Sequence, residues 1–209
     1  MLQKSKPPVI ASRDPDRTRR RILAAALVEF SAHGFAGARV DAIARRARGN
    51  KRMLYHYFGN KEALFGAVLR YKMAERRSWG AAMSSDPGER LPFWLKAACK
   101  DPDWVRLLEW EALQDGRKIL IDEKERRSES LYWLDLLRQR QKGGQLTSRF
   151  HAAHLALAMH SLTIFPAAFP QLVRLITGRS VNDPKFQQEY GRFLRKFAAA
   201  FKPRERLKK

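Results

Sequence analysis

The chain has 209 residues and a formal net charge of +21, from 42 lysine and arginine against 21 aspartate and glutamate residues. Its 44% hydrophobic residues exclude a disordered chain, and its length suits one medium domain or a small module joined to a larger one. The single cysteine, Cys99, excludes an internal disulfide and a cysteine-based zinc finger, and it fits a reducing cytoplasm. So basic a chain is expected to bind a polyanion.

The positive charge is unevenly divided. Residues 1–60 carry a net charge of +9, residues 61–135 a net charge of zero, and residues 136–209 a net charge of +12. Two basic regions around a neutral one indicate parts with different roles. Residues 1–12 are expected to form a flexible basic arm rather than an export signal, because no apolar stretch follows the lysines. Residues 203–209 are expected to form a basic tail.

The first predicted helix begins after Asp14-Pro15-Asp16, where either aspartate can cap it, and Gly34 ends it. Its apolar residues recur at helical spacing: Ile22, Ala25, Ala26 and Phe30. Short helices are predicted over 40–47 and 51–57. Between them, Arg48-Gly49-Asn50 predicts a tight turn in which Gly49 takes a positive φ and Asn50 caps the next helix.

Further helices are predicted in the remainder of the chain, beginning with one from Lys61 to about Trp79 that Asn60 caps. The others are expected over 89–99, 102–115, 122–142, 149–166 and 184–201. The breaks include Asp115-Gly116 and the segment from Pro166 to Pro170. No stretch shows sustained period-2 alternation, so the predicted fold class is all-α.

An uncharged segment between Arg149 and Arg174 raises the question of a membrane span. Its 24 residues contain no Asp, Glu, Lys or Arg, which is long enough to cross a bilayer. Pro166 and Pro170 interrupt it, and three histidines lie within it. We therefore expect a buried helix that ends near Pro166, and no membrane partner.

The helix, tight turn and short basic helix around residues 40–57 predict a helix-turn-helix, whose second helix enters the major groove of DNA. Leu54 is expected to face the core. Arg and Lys can bind guanine, while Tyr and His reach phosphates or base edges. The expected DNA-binding residues are Arg39, Arg48, Asn50, Lys51, Arg52, Tyr55, His56 and Lys61.

A set of residues in register resembles the N-terminal domain of TetR-family transcriptional repressors over about residues 13–65. These residues are Ile22-Leu23-x-Ala25-Ala26-x-x-x-Phe30, Gly34-Phe35, Val40, Ile43-Ala44 and Leu54-Tyr55-x-Tyr57-Phe58-x-x-Lys61-Glu62. The resemblance implies an all-helical homodimer that binds a palindromic operator and is released by a small-molecule effector. The chain departs from the family where Ala38 and Arg39 replace the usual hydroxyl cap, and where Arg48-Gly49-Asn50 replaces the usual Gly-Val-Ser turn.

These features divide the chain into four segments. Residues 1–12 are the arm, 13–60 the helix-turn-helix DNA-binding domain, 61–202 a helical bundle for effector binding and dimerisation, and 203–209 the tail. All five tryptophans lie in the neutral middle of the chain, which suits an apolar pocket, although core packing is the alternative. The pocket candidates are Phe93, Trp94, Trp104, Leu108, Trp110, Tyr132 and His160.

An apolar stripe on the last helix, together with residues of the uncharged helix, predicts a dimer interface. The candidates are Leu155, Met159, Leu162, Phe186, Tyr190, Phe193, Leu194 and Phe197. Burial within the chain is the alternative. The basic last third of the sequence also favours an anionic effector, such as an acyl thioester or a fatty acid.

Catalytic signatures are missing from the sequence, with no glycine-rich phosphate loop, GxSxG or HExxH. His151, His154 and His160 with Cys99 are a weak metal set, so we expect no metal and no cofactor. The leading hypothesis is therefore a cytoplasmic, ligand-responsive DNA-binding repressor rather than an enzyme. The alternatives are a non-specific basic nucleic-acid-binding protein, and a helical enzyme or metal sensor built around the histidines.

Overall fold

A computed structural model describes residues 14–113 and 122–202, and within that part it contains ten helices and no strand. The helices are α1 (Pro15–Gly37), α2 (Val40–Arg46), α3 (Lys51–Phe58), α4 (Lys61–Ala81), α5 (Pro87–Lys100), α6 (Pro102–Ala112), α7 (Glu123–Lys142), α8 (Ala152–Ala168), α9 (Pro170–Thr177) and α10 (Pro184–Ala200). The all-α fold class is confirmed. The predicted arm, tail and break at Asp115-Gly116 lie outside the described residues.

Helices α1 to α4 enclose the first core. Asp14 caps α1, its carboxylate accepting hydrogen bonds from the backbone N–H groups of Asp16 and Arg17 at 3.0 and 3.2 Å. The face predicted from the spacing is buried, with Ile22, Ala25, Ala26 and Phe30 all at 4% exposure or less. Ile43 and Leu54 complete this core from α2 and α3, so the two short helices are held against α1 by one apolar cluster.

The turn between α2 and α3 differs from the prediction at one residue. Arg48, not Gly49, takes the left-handed conformation, with a φ of 50°. The side chain of Met53 folds against Gly49 closely enough that a Cβ there would collide with it. The end of the methionine side chain is flexible and can move aside, so neither this contact nor its own φ requires glycine at position 49. Asn50 caps α3 as predicted, its amide oxygen accepting the Met53 N–H at 2.8 Å.

Gly34 interrupts α1 where the sequence predicts its end, although one further helical turn follows it. Its φ of 66° and ψ of −179° lie in a region that only glycine adopts readily. The ring of Trp110 on α6 covers it, so that a Cβ would lie 2.7 Å from the indole. The Trp110 indole N–H donates to the Ser31 carbonyl at 3.1 Å, and the Ser31 hydroxyl donates to Asp103 at 2.8 Å. Helix α6 is thereby fastened to α1.

Helices α5, α7, α8 and α10 form the second core, in which α5 packs against both α8 and α10. Leu95, Leu137, Met159 and Leu194 are its most buried members. The predicted limits of these helices agree with the structure to within about three residues. Trp104 and Leu107 of α6 belong to the first core instead, so α6 joins the two halves of the molecule.

The segment from Pro166 to Pro170 is not the long break that the sequence predicts. Helix α8 continues through Pro166 to Ala168, and Pro170 then begins α9, which the prediction lacks. Pro166 has no N–H to donate to the Leu162 carbonyl one turn earlier, but the Tyr190 hydroxyl donates to that carbonyl at 3.2 Å. A partner from α10 therefore satisfies the carbonyl that the proline leaves unpaired.

Candidate nucleic-acid interface and helical cavity

Helix α3 divides cleanly into a buried and an exposed side. Leu54 is 1% exposed, as expected, and Phe58 packs against the first core. The predicted DNA-binding residues of this helix lie on the opposite side and are all exposed: Lys51, Arg52, Tyr55 and His56. Arg48, at the preceding turn, is exposed as well. One surface of α3 therefore offers cationic and aromatic hydrogen-bonding groups over a packed base.

Helix α2 is capped by a residue that the sequence analysis missed. Glu29, a buried residue of α1, accepts a hydrogen bond from the backbone N–H of Arg39 at 3.1 Å. A carboxylate at the first turn of a helix also favours the helix dipole. The side chain of Arg39 makes no capping hydrogen bond and is exposed, so its guanidinium remains available to a phosphate.

Two of the predicted DNA-binding lysines have partners within the chain. The Lys51 ammonium lies 2.8 Å from the Asp41 carboxylate, and this hydrogen bond raises the pKa of Lys51. Lys61 donates to the Ala36 carbonyl at 3.3 Å and lies 4.9 Å from the centre of the Phe35 ring. Lys61 is half-buried as a result, and its ammonium is held at the end of α1.

A cavity of about 390 Å³ lies in the helical domain between α4, α5, α6, α7 and α8. Four of the predicted pocket residues line it: Trp94, Trp104, Leu108 and His160. The prediction missed Trp133 and three arginines that also line it, Arg76, Arg90 and Arg126. Sequence periodicity does not identify these arginines as inward-facing, because an arginine on a helix is far more often solvent-exposed.

The other three predicted pocket residues do not line this cavity. Trp110 packs on Gly34 and bonds to α1, away from the cavity. Tyr132 is 69% exposed, and Phe93 stands edge-to-face against Trp94 with the ring centres 5.3 Å apart, without lining the cavity. On α5, Trp94 lines the cavity and the adjacent Phe93 does not. On α7, Trp133 lines it and the adjacent Tyr132 does not.

The cavity is lined by three half-buried arginines. The Arg76 guanidinium lies 5.0 Å from the ring centre of Trp94 and 5.3 Å from that of Trp104, and the Arg90 guanidinium lies 4.5 Å from that of Trp133. Burial lowers the pKa of both arginines. Burial and the charge of Arg76 lower the pKa of His160, which favours its neutral form. Such a site is suited to an anion with an apolar body.

Half of the predicted dimer-interface residues are buried by the chain itself. Leu155, Met159, Phe186 and Leu194 are 5% exposed or less in the two inner clusters, which fits the alternative of burial within the chain. Leu162, Tyr190 and Phe197 are half-buried, and Phe193 is 46% exposed. Period alone could not separate the two sides of α8, because both are apolar.

The outer side of α8 carries an apolar stripe that nothing in the described chain covers. Leu157 is 66% and Phe165 43% exposed, and Ala158 and Ser161 lie between them at helical spacing. Phe165 stacks near Phe169, with ring centres 4.9 Å apart. We call Leu157, Ala158, Ser161 and Phe165 the α8 stripe.

Metal binding and membrane spanning are two alternative roles for the region around α8. The described residues contain no group of three or more potential metal ligands, and burial raises the pKa of Cys99 to about 11. No single described helix is long and apolar enough to cross a membrane; α8 and α9 meet the length and composition only as a pair bent by 89°.

Two family models match this chain. One described as "Bacterial regulatory proteins, tetR family" matches residues 22–68, and one described as "Tetracyclin repressor-like, C-terminal domain" matches residues 94–198.

Relatives and solved structures agree with these matches. The chain is 34% identical to the HTH-type transcriptional repressor SCO4008 of Streptomyces coelicolor over 173 residues, covering 81% of this chain and 88% of the relative. It is 32% identical to the HTH-type transcriptional regulator RutR of Escherichia coli O157:H7, covering 84% and 85%. The structure resembles that of the transcriptional regulator SCO4942 of S. coelicolor with a TM-score of 0.75 and 26% identity, covering 89% and 99%.

Proposed function

This chain belongs to the TetR family of bacterial transcriptional regulators, and we propose that it represses transcription in the cytoplasm by binding a palindromic operator as a homodimer, from which a small-molecule effector releases it. DNA binding and transcriptional regulation come with the family. The palindrome, the dimer and the effector are the parts proposed here. The domain division at about residue 60 is also part of the proposal.

The exposed side of α3 is the observation that carries DNA recognition. Arg52, Tyr55 and His56 are exposed on a helix whose other side is anchored by Leu54, so the helix can enter the major groove without unpacking the domain. Arg48 and Arg39 flank it at the ends of α2, where they can bind phosphates. A two-fold dimer would present two such helices to two half-sites.

The α8 stripe supports dimerisation. A side chain such as Leu157 is costly to leave in water, and the stripe contains small residues that allow a second helix to approach closely. Phe193 on α10 adds an exposed aromatic ring, a residue type enriched at interfaces. A second copy of this chain is the proposed occupant.

Helix α6 supports a route from the cavity to the DNA-binding domain. Trp104 lines the cavity and is also a member of the first core. The same helix is fixed to α1 by Trp110 and by Asp103. Suppose that α6 has two positions and that a ligand binds one of them more tightly. The ligand then shifts the equilibrium between the two positions by the ratio of its two affinities, and with it the fraction of dimers that can bind DNA.

Footprinting of the DNA upstream of the coding sequence tests the proposal. A protected palindrome is expected, with half-sites about one helical turn apart or a multiple of it. Arg52→Ala and Tyr55→Ala should each weaken binding about tenfold or more, as expected for base or close phosphate contacts. Arg127→Ala, which removes an exposed arginine of α7, is the matched control and should leave the affinity unchanged.

The net charge of +21 also favours a second candidate, non-specific binding to nucleic acid. That candidate predicts no protected site, equal affinity for any duplex, and a steep fall in affinity with salt. Uniform protection together with an unchanged Arg52→Ala variant would replace the operator proposal by this one.

A further inference from the structure

Of the charged side chains that line the cavity, all but one have an oppositely charged partner among the described residues. Arg126 forms a two-bond pair with Glu111 at 2.6 and 2.8 Å. Glu129, the one carboxylate among the lining residues, lies 2.7 Å from Arg77. The Arg126–Glu111 pair is fully hydrogen-bonded, whereas the Arg77–Glu129 pair balances charge although the buried Glu129 oxygen accepts no hydrogen bond in the described part of the chain. Each of these cations is opposed by one carboxylate, so neither pair calls for a charged ligand.

The positive charge of Arg76 is partly neutralised by a neighbouring carboxylate. Its guanidinium lies 3.6 Å from the Asp101 carboxylate, which also holds the Lys72 ammonium at 2.8 Å. The Lys72 ammonium also lies 2.6 Å from the Glu75 carboxylate. The two cations, Lys72 and Arg76, are therefore balanced by two carboxylates, Glu75 and Asp101. The indoles of Trp94 and Trp104 hold the guanidinium in place against this cluster.

Arg90 is the exception. Among the described residues, no carboxylate lies within ion-pair distance of it. One of its terminal nitrogens donates to the carbonyls of Gly80 and Ser84 at 3.3 and 3.4 Å, and Trp133 lies under the guanidinium plane. The Nε is buried and has no hydrogen-bond partner in the described part of the chain. A half-buried, fixed guanidinium with a buried and unpaired Nε–H is typical of a carboxylate-binding group.

The walls of the cavity set the rest of the ligand. Trp94, Trp104 and Trp133 offer flat rings, and the remaining surface is largely aliphatic, thioether or uncharged. A volume of about 390 Å³ lies near the lower end of the range for ligand sites, which favours a compact molecule over a long acyl chain.

We propose that this cavity binds a compact monoanion with a flat, apolar or aromatic body, whose carboxylate is received by Arg90 while its body packs among Trp94, Trp104 and Trp133. This inference rests on the proposed function, because it names the class of effector for the site described there. The sequence analysis also expected an anionic effector, but it attributed the binding cations to the basic last third of the chain. In the structure the cations that line the cavity come from the electrically neutral middle of the chain.

Calorimetric titration of the full chain with matched pairs of probes tests the proposal. The pairs are benzoate and benzamide, 2-naphthoate and 2-naphthamide, and indole-3-acetate and indole-3-acetamide, each differing by the charge of one group. At least one carboxylate should bind at least about tenfold more tightly than its amide, the size of a charge-assisted hydrogen bond. Equal affinity within every pair, or binding by no carboxylate, would overturn the proposal.

Two variants assign the contact to Arg90. Arg90→Gln should remove the preference for the carboxylate and leave amide binding unchanged, whereas Arg127→Gln on the exposed side of α7 should change neither. Arg90→Lys keeps the charge, so it should retain the preference at reduced affinity, and it serves where the glutamine variant does not fold. A preserved preference in Arg90→Gln would overturn the assignment.

The failure of this inference can be told apart from failure of the proposed function. Operator binding is measured without any carboxylate, so specific DNA binding by a chain that prefers no carboxylate would overturn only the effector class. A chain that prefers carboxylates but protects no operator would overturn only the DNA proposal. Release of operator DNA by the preferred carboxylate, and not by its amide, would support both.

Discussion

The carboxylate of Glu29 supports the start of α2 in a different way from a capping hydroxyl, because it accepts from the N–H of the N-cap residue Arg39 rather than from an N–H of the first helical turn. The family resemblance shows where Ser or Thr is missing, at Ala38 and Arg39, but this carboxylate lies ten positions earlier on α1. Only the angle between α1 and α2 brings the carboxylate to the Arg39 N–H. A local rule finds caps such as Asn50 and Asn60, whose partners are three residues away, and cannot find this one.

Asp41→Asn should strengthen DNA binding. In the free protein the Asp41 carboxylate holds the Lys51 ammonium at 2.8 Å, on an exposed surface that is proposed to face DNA phosphates. Removing the carboxylate releases Lys51 and also removes a charge that phosphates repel. We expect operator affinity to rise ~two- to tenfold and the slope of log affinity against log salt to steepen by about one.

Fluorescence anisotropy over a salt series measures this effect. Asp135→Asn on α7 is the control, because it breaks a comparable exposed pair with Arg138 far from α3 along the chain. A fall in affinity for Asp41→Asn would contradict the prediction, and would mean that the pair positions Lys51 for its DNA contact.

At the scale of single elements, the helices that sequence periodicity predicted best are those whose two sides differ in polarity. The buried face of α1 and the division of α3 follow from spacing, because polar and apolar residues alternate with the helical turn. The same reasoning fails for α8, which is apolar on all sides. It also fails for α9, because Pro170 marks both an end and a possible first residue of a helix, and only packing decides between the two.

Helix α6 could be predicted as a helix but not as a joint between two domains. Its contacts with α1 depend on Gly34, where the missing side chain lets Trp110 lie directly on the backbone. Nothing in the spacing of the four intervening helices indicates that residues 34 and 110 meet. The arginines of the candidate cavity could not be predicted from sequence spacing either, since they come from three different helices.

Tyr190→Phe should destabilise the fold by about 1 kcal/mol, the value of one hydrogen bond whose loss leaves a buried carbonyl unpaired. The Tyr190 hydroxyl bonds to the Leu162 carbonyl because Pro166 cannot. In a Pro166→Ala background the alanine N–H can bond to that carbonyl, so Tyr190→Phe should then cost much less. Urea unfolding of the two single variants and the double variant measures the coupling.

The alternative outcome is additivity. If Tyr190→Phe costs the same with proline or alanine at position 166, the hydroxyl does not compensate for the proline, and the passage of α8 through Pro166 needs another explanation. The half-buried ring of Tyr190 is kept in every variant, so packing does not confuse the comparison.

At the scale of the whole molecule, the net charge of +21 separates into parts with different surroundings. The basic side chains of the last third are mostly exposed, including Arg149, Arg174 and Arg192, so they do not line the cavity. The neutral middle instead contains cations that folding partly removes from water: Lys72, Arg76 and Arg126 are paired with carboxylates, and Arg90 has no carboxylate partner among the described residues. Composition could show where charge lies along the chain, but not which charges folding removes from water.

Leu157→Glu should convert the proposed dimer to a monomer. Leu157 is 66% exposed in the single chain, so a glutamate there leaves the monomer intact, but it would put an unpaired charge into the helical contact along the α8 stripe. Sedimentation at micromolar concentration should give the mass of one chain for the variant and of two for the native protein. Tyr71→Glu, which replaces an exposed aromatic on α4, is the control and should stay dimeric.

The loss of the dimer should also reach the DNA. Two recognition helices bind a palindrome as one unit only if their spacing is fixed, so a monomeric variant should lose at least about a hundredfold in affinity for the full operator. Its affinity for an isolated half-site should match that of the native chain, because α3 lies in a core that Leu157 does not touch. A Leu157→Glu variant that remains a dimer would place the interface away from the α8 stripe. A monomeric variant with native affinity for the palindrome would show that dimerisation is not what recognises the operator.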